Sequence, residues 1–174
     1  MASKLLFSTF EVSSQAFYRS SLSYAIVNLK PIVPGHVLVI PQRPVPRLAD
    51  LDDQELASLM CSVKRVGSVI ERVYGGDGLT VACQDGPAAG QSVPHVHFHI
   101  LPRKLKGDRF SQNDDVYPTL EGAEGSLSSD LHRKASETLK VDADEHRPPR
   151  TLKEMEEEAD WLKTFFKDAD STAT

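Results

Sequence analysis

No apolar run in the chain approaches the roughly 20 residues that a membrane-spanning helix needs, so no membrane association is expected. The opening stretch from Met1 to Phe7 is too short to supply the apolar region of a signal peptide. Cysteine is scarce as well. Cys61 and Cys83 are the only two, on segments that read as a helix and a strand, which points to free buried thiols in a reducing compartment. We expect a cytoplasmic protein, with the nucleus as a further compartment. A surplus of positive charge is also missing. The net charge of −5 excludes broad nucleic-acid binding, which needs a dominant basic surface. A phosphate ligand would have to meet a local cluster, such as Arg103, Lys104, Lys106 and Arg109. Internal repeats are absent. What remains is a chain of 174 residues, 40% hydrophobic and 26% charged, enough for one globular domain with a real core.

Short strands broken by turns fill the first third. Phe17 to Arg19, the Ser20-Ser21 turn and residues 23–29 read as a hairpin, and Pro34-Gly35 turns the chain into a strand over 37–40. Asp52 or Asp53 can cap a helix whose apolar face carries Leu56, Leu59, Met60, Val63, Val66, Ile70 and Val73, with Gly75-Gly76 as its stop. Residues 79–84 read as a strand, 85–93 as a Gly-rich loop and 95–101 as another strand. From 107 to 150 the pattern dissolves into Ser, Asp, Glu, Gly and Pro, as in a mobile surface segment. Thr151-Leu152-Lys153-Glu154 is a capping box. It opens an amphipathic helix with Leu152, Met155, Ala159, Leu162 and Phe166 on one side. The sum is an α+β fold: a mainly antiparallel sheet with one long helix and a C-terminal helix. We expect a catalytic domain over 1–117, a flexible insertion over 118–150 and a helix over 151–168 packed on the same domain.

Half of the six histidines fall on alternate positions of one strand, His95, His97 and His99, interleaved with Val96, Phe98 and Ile100. Alternate strand residues share a face. The imidazoles therefore line one side and the apolar residues face the core, with Pro94 and Pro102 bracketing the run. Three solvated surface histidines would be the plainest reading. A metal site is a second, but alternate residues lie ~6.7 Å apart, so His95 and His99 are ~13 Å apart. Zinc–nitrogen bonds of ~2.0–2.1 Å cannot easily bring all three to one ion, and neither cysteine has a recognisable metal spacing. The third reading is nucleophilic catalysis. A neutral imidazole attacks a phosphoryl group, forms a phosphoramidate and yields it to water, while neighbouring imidazoles fix its tautomer and stabilise charge.

Pro34-Gly35-His36-Val37-Leu38-Val39-Ile40-Pro41 and His95-Val96-His97-Phe98-His99-Ile100-Leu101 together resemble the histidine triad (HIT) superfamily. Gln84-Asp85-Gly86, Ala89-Gly90-Gln91-Ser92-Val93 and Leu101-Pro102-Arg103 resemble its fragile histidine triad branch, the diadenosine triphosphate hydrolases. The phosphoramidase branch has Gly-Gly where this chain has Pro102-Arg103. The resemblance runs from about Phe7 to Tyr117 and returns at the Thr151 helix. It implies a HIT-like fold and a homodimer. The implied reaction is asymmetric hydrolysis of diadenosine tri- or tetraphosphate to AMP plus ADP or ATP, through a nucleotidyl-histidine. By the same resemblance His97 is the nucleophile, His99 binds phosphate and assists the leaving group, and His95 and His36 support them. Gln84, Gly90, Gln91, Ser92 and Val93 contact the polyphosphate, and Asn28 binds the ribose hydroxyls. No cofactor or metal bound by the protein is implied; a divalent ion, Mg or Mn, would enter with the substrate. Two rivals stand beside this reading: a nucleoside phosphoramidate hydrolase, and a nucleotide-binding signalling module. The chain departs from the branch in having Phe10 where some members carry an extra histidine, and in residues 121–149, which have no counterpart.

Overall fold

The computed structural model describes residues 3–135 and 149–166. A small hairpin, β1 (Leu6–Phe7) and β2 (Phe10–Glu11), precedes five longer strands. These are β3 (Ala16–Arg19), β4 (Ser23–Val27), β5 (Val37–Pro41), β6 (Gly78–Ala82) and β7 (Phe98–Arg103). They form one sheet in the order β3-β4-β5-β7-β6, with every pairing antiparallel. The helices are α1 (Asp53–Val73), α2 (Val116–Ala135) and α3 (Leu152–Lys163).

The strands are apolar on both sides, which forces a covering layer on each face of the sheet. Ala25, Val27, Val37, Val39 and Ile100 point one way, into a core completed by Leu59, Val63, Val66 and Ile70 of α1 and by Met155, Ala159 and Leu162 of α3. Tyr24, Ile26, Leu38 and Ile40 point the other way and meet Phe7 of the hairpin and Leu127 and Leu131 of α2. Val116 and Leu120 of α2 close a third cluster with Ile32, Val33 and Leu101. The α+β class and the antiparallel sheet expected from the sequence are therefore present.

The starts of α1 and α3 follow from local chemistry. The Asp52 carboxylate accepts from the Glu55 amide at 2.8 Å, while Glu55 Oε2 accepts from the Asp52 amide at 3.0 Å. Thr151 and Glu154 repeat the device at α3, at 3.2 Å and 2.7 Å. Each box satisfies two amide donors that the first turn would leave orphaned. On α1 the buried stripe is narrower than the sequence suggests: Leu56 and Met60 lie at its edge and are exposed.

The larger correction is α2, a 20-residue helix where composition predicts a structureless surface segment. Gly122, Gly125 and Ser-rich surroundings lower helix propensity, and Pro118 sits in the first turn, where its missing N–H costs nothing. Yet Val116, Leu120, Glu124, Leu127 and Leu131 recur at gaps of four, four, three and four, and all are buried. A glutamate in the middle of that stripe hides it from an apolar-periodicity reading. Residues 136–148 of the expected loop and 167–168 of the expected last helix lie outside the described residues.

Gly35 makes the turn into β5. Its φ is +82°, and an added Cβ would stand 2.6 Å from the Tyr74 ring at the end of α1. Left-handed backbone and overpacking both penalise a side chain there, so Gly35→Ala should lose about 2–4 kcal/mol. Urea unfolding would measure this; a loss below about 0.5 kcal/mol, the level of an ordinary surface change, would show that the turn and Tyr74 relax freely.

Candidate active site

β7 starts at Phe98, three residues later than the expected strand. Pro94 and two local bonds explain the delay: the His95 amide donates to Val93 O at 2.8 Å, and the Val96 amide donates to Val45 O at 2.8 Å. The alternation nevertheless survives. Val96 and Ile100 enter the core beneath α1, while His95, His97 and His99 are buried on the opposite face. Phe7 of the β1–β2 hairpin backs two of them, 5.7 Å from the His95 ring and 5.1 Å edge-on to the His97 ring.

Backbone groups settle which nitrogens carry protons. The Ser8 amide donates to His95 Nδ1 at 2.9 Å, so His95 Nε2 holds the proton and donates it to Pro41 O at 2.8 Å. Ser8 is held at φ +56° to do this, a conformation a serine adopts only under constraint. The Ile32 amide donates to His36 Nδ1 at 3.2 Å, leaving a proton on His36 Nε2 for His99 Nδ1 at 2.9 Å. His99 Nε2 is then a donor. His97 is wired the other way: its Nδ1 donates to His95 O at 2.7 Å, so Nε2 is the nitrogen that carries the lone pair when the ring is neutral. When both rings are neutral these adjacent imidazoles, 5.2 Å apart, present one acceptor and one donor to the same space.

That space is filled by Glu124 of α2, which the sequence did not mark. Its Oε2 lies 2.8 Å from His97 Nε2 and 2.9 Å from His99 Nε2, and its Oε1 accepts from the Ser92 amide at 3.0 Å. Burial opposes ionisation of this carboxyl, but the bonds from His97 and His99 outweigh it and hold it below the usual carboxylate range. Burial lowers His99, against the pull of Glu124, and pushes His95 down to about 4.

Of the other expected contacts, His36 joins the cluster and Asn28 adjoins it. Asn28 Nδ2 lies 3.1 Å from His36 Nε2 and 3.4 Å from Nδ1, and its Oδ1 accepts from the Lys30 amide. Arg150 donates to Asn28 O at 3.1 Å and also binds Glu158, which accepts from Tyr74 at 2.5 Å; the end of β4 is thereby tied to α1 and α3. The Gly-rich loop contributes less than an amide cradle would. The amides of Gly90 and Gln91 bond back to Pro87 O and Gly86 O. The Gln91 side chain is spent on the Gly86 amide and Pro46 O. Val93 is buried in the core, and only the Ser92 amide reaches Glu124. Gln84 Oε1 is buried without a hydrogen-bond partner among the described residues.

Two other expectations change. Arg103 of the basic cluster is paired with Asp108 at 3.0 Å and Arg109 donates to Ile32 O at 2.5 Å, so their charges are committed away from the histidines. The two free thiols are not both buried: Cys61 is exposed and Cys83 half-buried, where burial pushes its thiol up to about 11. A metal-ligand set does assemble among the described residues, because His97, His99 and Glu124 bring donor atoms within 4.8 Å of one another. Strand spacing rules out His95 with His99, not a third ligand from a distant helix.

The HIT domain model matches residues 9–106. The chain belongs to the HIT family. Among its HIT relatives, the asymmetrical bis(5'-nucleosyl)-tetraphosphatase of Schizosaccharomyces pombe is 53% identical, covering 95% of this chain and 96% of that protein. The bifunctional bis(5'-adenosyl)-triphosphatase/adenylylsulfatase of Arabidopsis thaliana is 44% identical over 87% of this chain and 78% of its own. The crystal structure of Plasmodium falciparum diadenosine triphosphate hydrolase with cyclomarin A matches at a TM-score of 0.66 and 25% identity, covering 97% of this chain and 87% of the other. No described helix of this HIT protein is long and apolar enough to cross a membrane.

The neutral burial of His95 has a pH consequence. Between pH 6.5 and about 4 the unfolded chain binds a proton that the folded imidazole refuses, so stability falls as pH drops through that window. From pH 7 to 5 the His95 contribution is a loss on the order of 2 kcal/mol. Glu124, held low, adds its loss only below the ordinary carboxylate range. Urea midpoints at both pH values should therefore move less in His95→Gln than in wild type; equal shifts would remove His95 as the source.

Proposed function

We propose that this protein hydrolyses dinucleoside polyphosphates, taking diadenosine tri- or tetraphosphate asymmetrically to AMP plus ADP or ATP through a nucleotidyl-histidine on His97. The observation that carries the reading is the opposed wiring of His97 and His99. In its neutral form His97 has its lone pair on Nε2, the nitrogen that faces the site, because His95 O holds the proton of Nδ1. His99 Nε2 offers a proton beside it because His36 donates to the other nitrogen. The names of the relatives supply the substrate class.

In this mechanism His97 Nε2 attacks the α-phosphorus and the bond to the bridging oxygen breaks. The nucleoside di- or triphosphate departs with proton donation from His99. Water then cleaves the phosphorus–nitrogen bond and releases the mononucleotide. The Ser92 amide and His99 stabilise phosphoryl oxygen charge, and His95 and His36 keep the two reacting imidazoles in their tautomers. Asn28, at the end of β4, is the ribose contact, and Gln84, with its unused carbonyl oxygen, is a polyphosphate contact. A divalent ion, Mg or Mn, enters with the polyphosphate. The exposed Leu56 and Met60 of α1 and Val81 on the edge strand β6 support a homodimer. The free thiols fit a cytoplasmic protein, with the nucleus as a second compartment.

His97→Asn keeps a polar side chain but cannot form the phosphoramidate. Turnover should fall about a thousandfold or more, with little change in affinity for a methylene-bridged analogue. Rapid quench of wild type with α-labelled substrate should trap acid-labile, base-stable label on His97. Near-normal turnover in the variant, or inversion of configuration at phosphorus, would exclude this nucleophile.

A further inference from the structure

Glu124 is fully buried in the middle of an otherwise apolar helical stripe, and its carboxylate is held by three donors: His97, His99 and the Ser92 amide. A buried carboxylate at such a position is an expensive choice where leucine would pack without desolvation. Two of these donors, the Ser92 amide and His99, are the groups assigned above to the phosphoryl oxygens, and the third is the nucleophile. Carboxylate and phosphoryl oxygens share charge and acceptor geometry, so one can stand where the other binds. The 2.8 Å contact to Glu124 also requires a proton on His97 Nε2, which leaves no lone pair there for attack.

α2 is fastened by contacts that do not involve the reacting histidines. Ser92 Oγ donates to Glu124 O at 2.6 Å and accepts from the Ser128 amide at 3.2 Å. Lys30 pairs with Asp130 at 3.2 Å, and Leu120, Leu127 and Leu131 plug apolar pockets on the sheet. Against these stand two glycines, Gly122 and Gly125, and a largely polar exterior.

We propose that α2 is an intramolecular lid whose Glu124 occupies the phosphoryl position in the resting state, so that a dinucleoside polyphosphate must displace the helix to reach His97. The proposal rests on the hydrolase reading. Release returns Glu124 to water, and His97 then gives up its Nε2 proton to solvent, which frees the lone pair. Apparent affinity is reduced by the fraction of molecules with the lid open, so a lid closed ten to one weakens binding about tenfold.

The test compares wild type with Glu124→Gln, Glu124→Ala and Leu127→Ser. The last loosens the helix without touching the histidines. Steady-state kinetics on diadenosine tetraphosphate should show KM about tenfold lower in Glu124→Ala with kcat not reduced, and a fall in the same direction in the other two. In wild type, adding the methylene-bridged analogue should speed hydrogen exchange of amides 116–135. Unchanged KM with α2 still protected in the analogue complex would overturn the lid while leaving the hydrolase standing. A reduced kcat at unchanged KM would make Glu124 a participant in catalysis and equally overturn it. Wild type that neither turns over nor binds the analogue would overturn the hydrolase reading, and the lid with it.

Discussion

The amide of Ile32, 3.2 Å from His36 Nδ1, sets the proton order along the histidine face. A backbone N–H cannot reverse its polarity, so His36 must donate from Nε2, His99 must accept at Nδ1, and His99 Nε2 must be a donor. A carbonyl, His95 O, imposes the opposite order on His97. Two chemically identical side chains on neighbouring positions therefore acquire different roles from main-chain atoms. The fold's task is to place those atoms. Pro34 and Gly35 bring His36 back beneath Ile32, with Gly35 pressed against Tyr74, whose hydroxyl shares Glu158 with Arg150. One chain of contacts thus connects the α1–α3 side of the sheet to the proton order on its other side.

Burial is the second requirement. In water an imidazole exchanges freely between tautomers; enclosed by the hairpin, the sheet and α2, it is held to the one its fixed partners allow. The cost is visible at Ser8, a non-glycine residue at φ +56° whose amide is needed at His95 Nδ1. Such strain persists where surrounding contacts over-determine it, here Tyr24 donating to Leu6 O at 2.8 Å and the Phe7 ring seated against two histidines.

Strand periodicity, turn residues and capping boxes made the sheet, α1 and α3 legible, because each depends on neighbours in sequence. The His95–His99 alternation was legible for the same reason, although it survives as a face while the ladder begins only at Phe98. What escaped depends on partners far along the chain. Glu124 meets His97 and His99 across 27 and 25 residues, and no local pattern announces that. Its burial was readable in principle, since Glu124 completes the stripe of Val116, Leu120, Leu127 and Leu131, but only for a reader who admits a charged residue to an apolar face. The Gly90–Val93 loop erred the other way. Glycine there signals a tight turn as readily as an anion cradle, and the turn consumes the amides.

With α2 acting as a lid, affinity and chemistry are governed by different parts of the sequence. The proton order at His97 and His99 depends on Ile32, His36 and His95 O, none of which belongs to the helix. How often the helix stands aside depends on Leu127, Leu131, Ser128 and the Lys30–Asp130 pair, none of which touches the reacting nitrogens. Substitutions along α2 would then shift the open fraction, and with it apparent affinity, while leaving the rate of the bound complex unchanged. A histidine face whose proton order is fixed by main-chain atoms is in this way coupled to a helix held by contacts of its own, and the two meet at a single carboxylate.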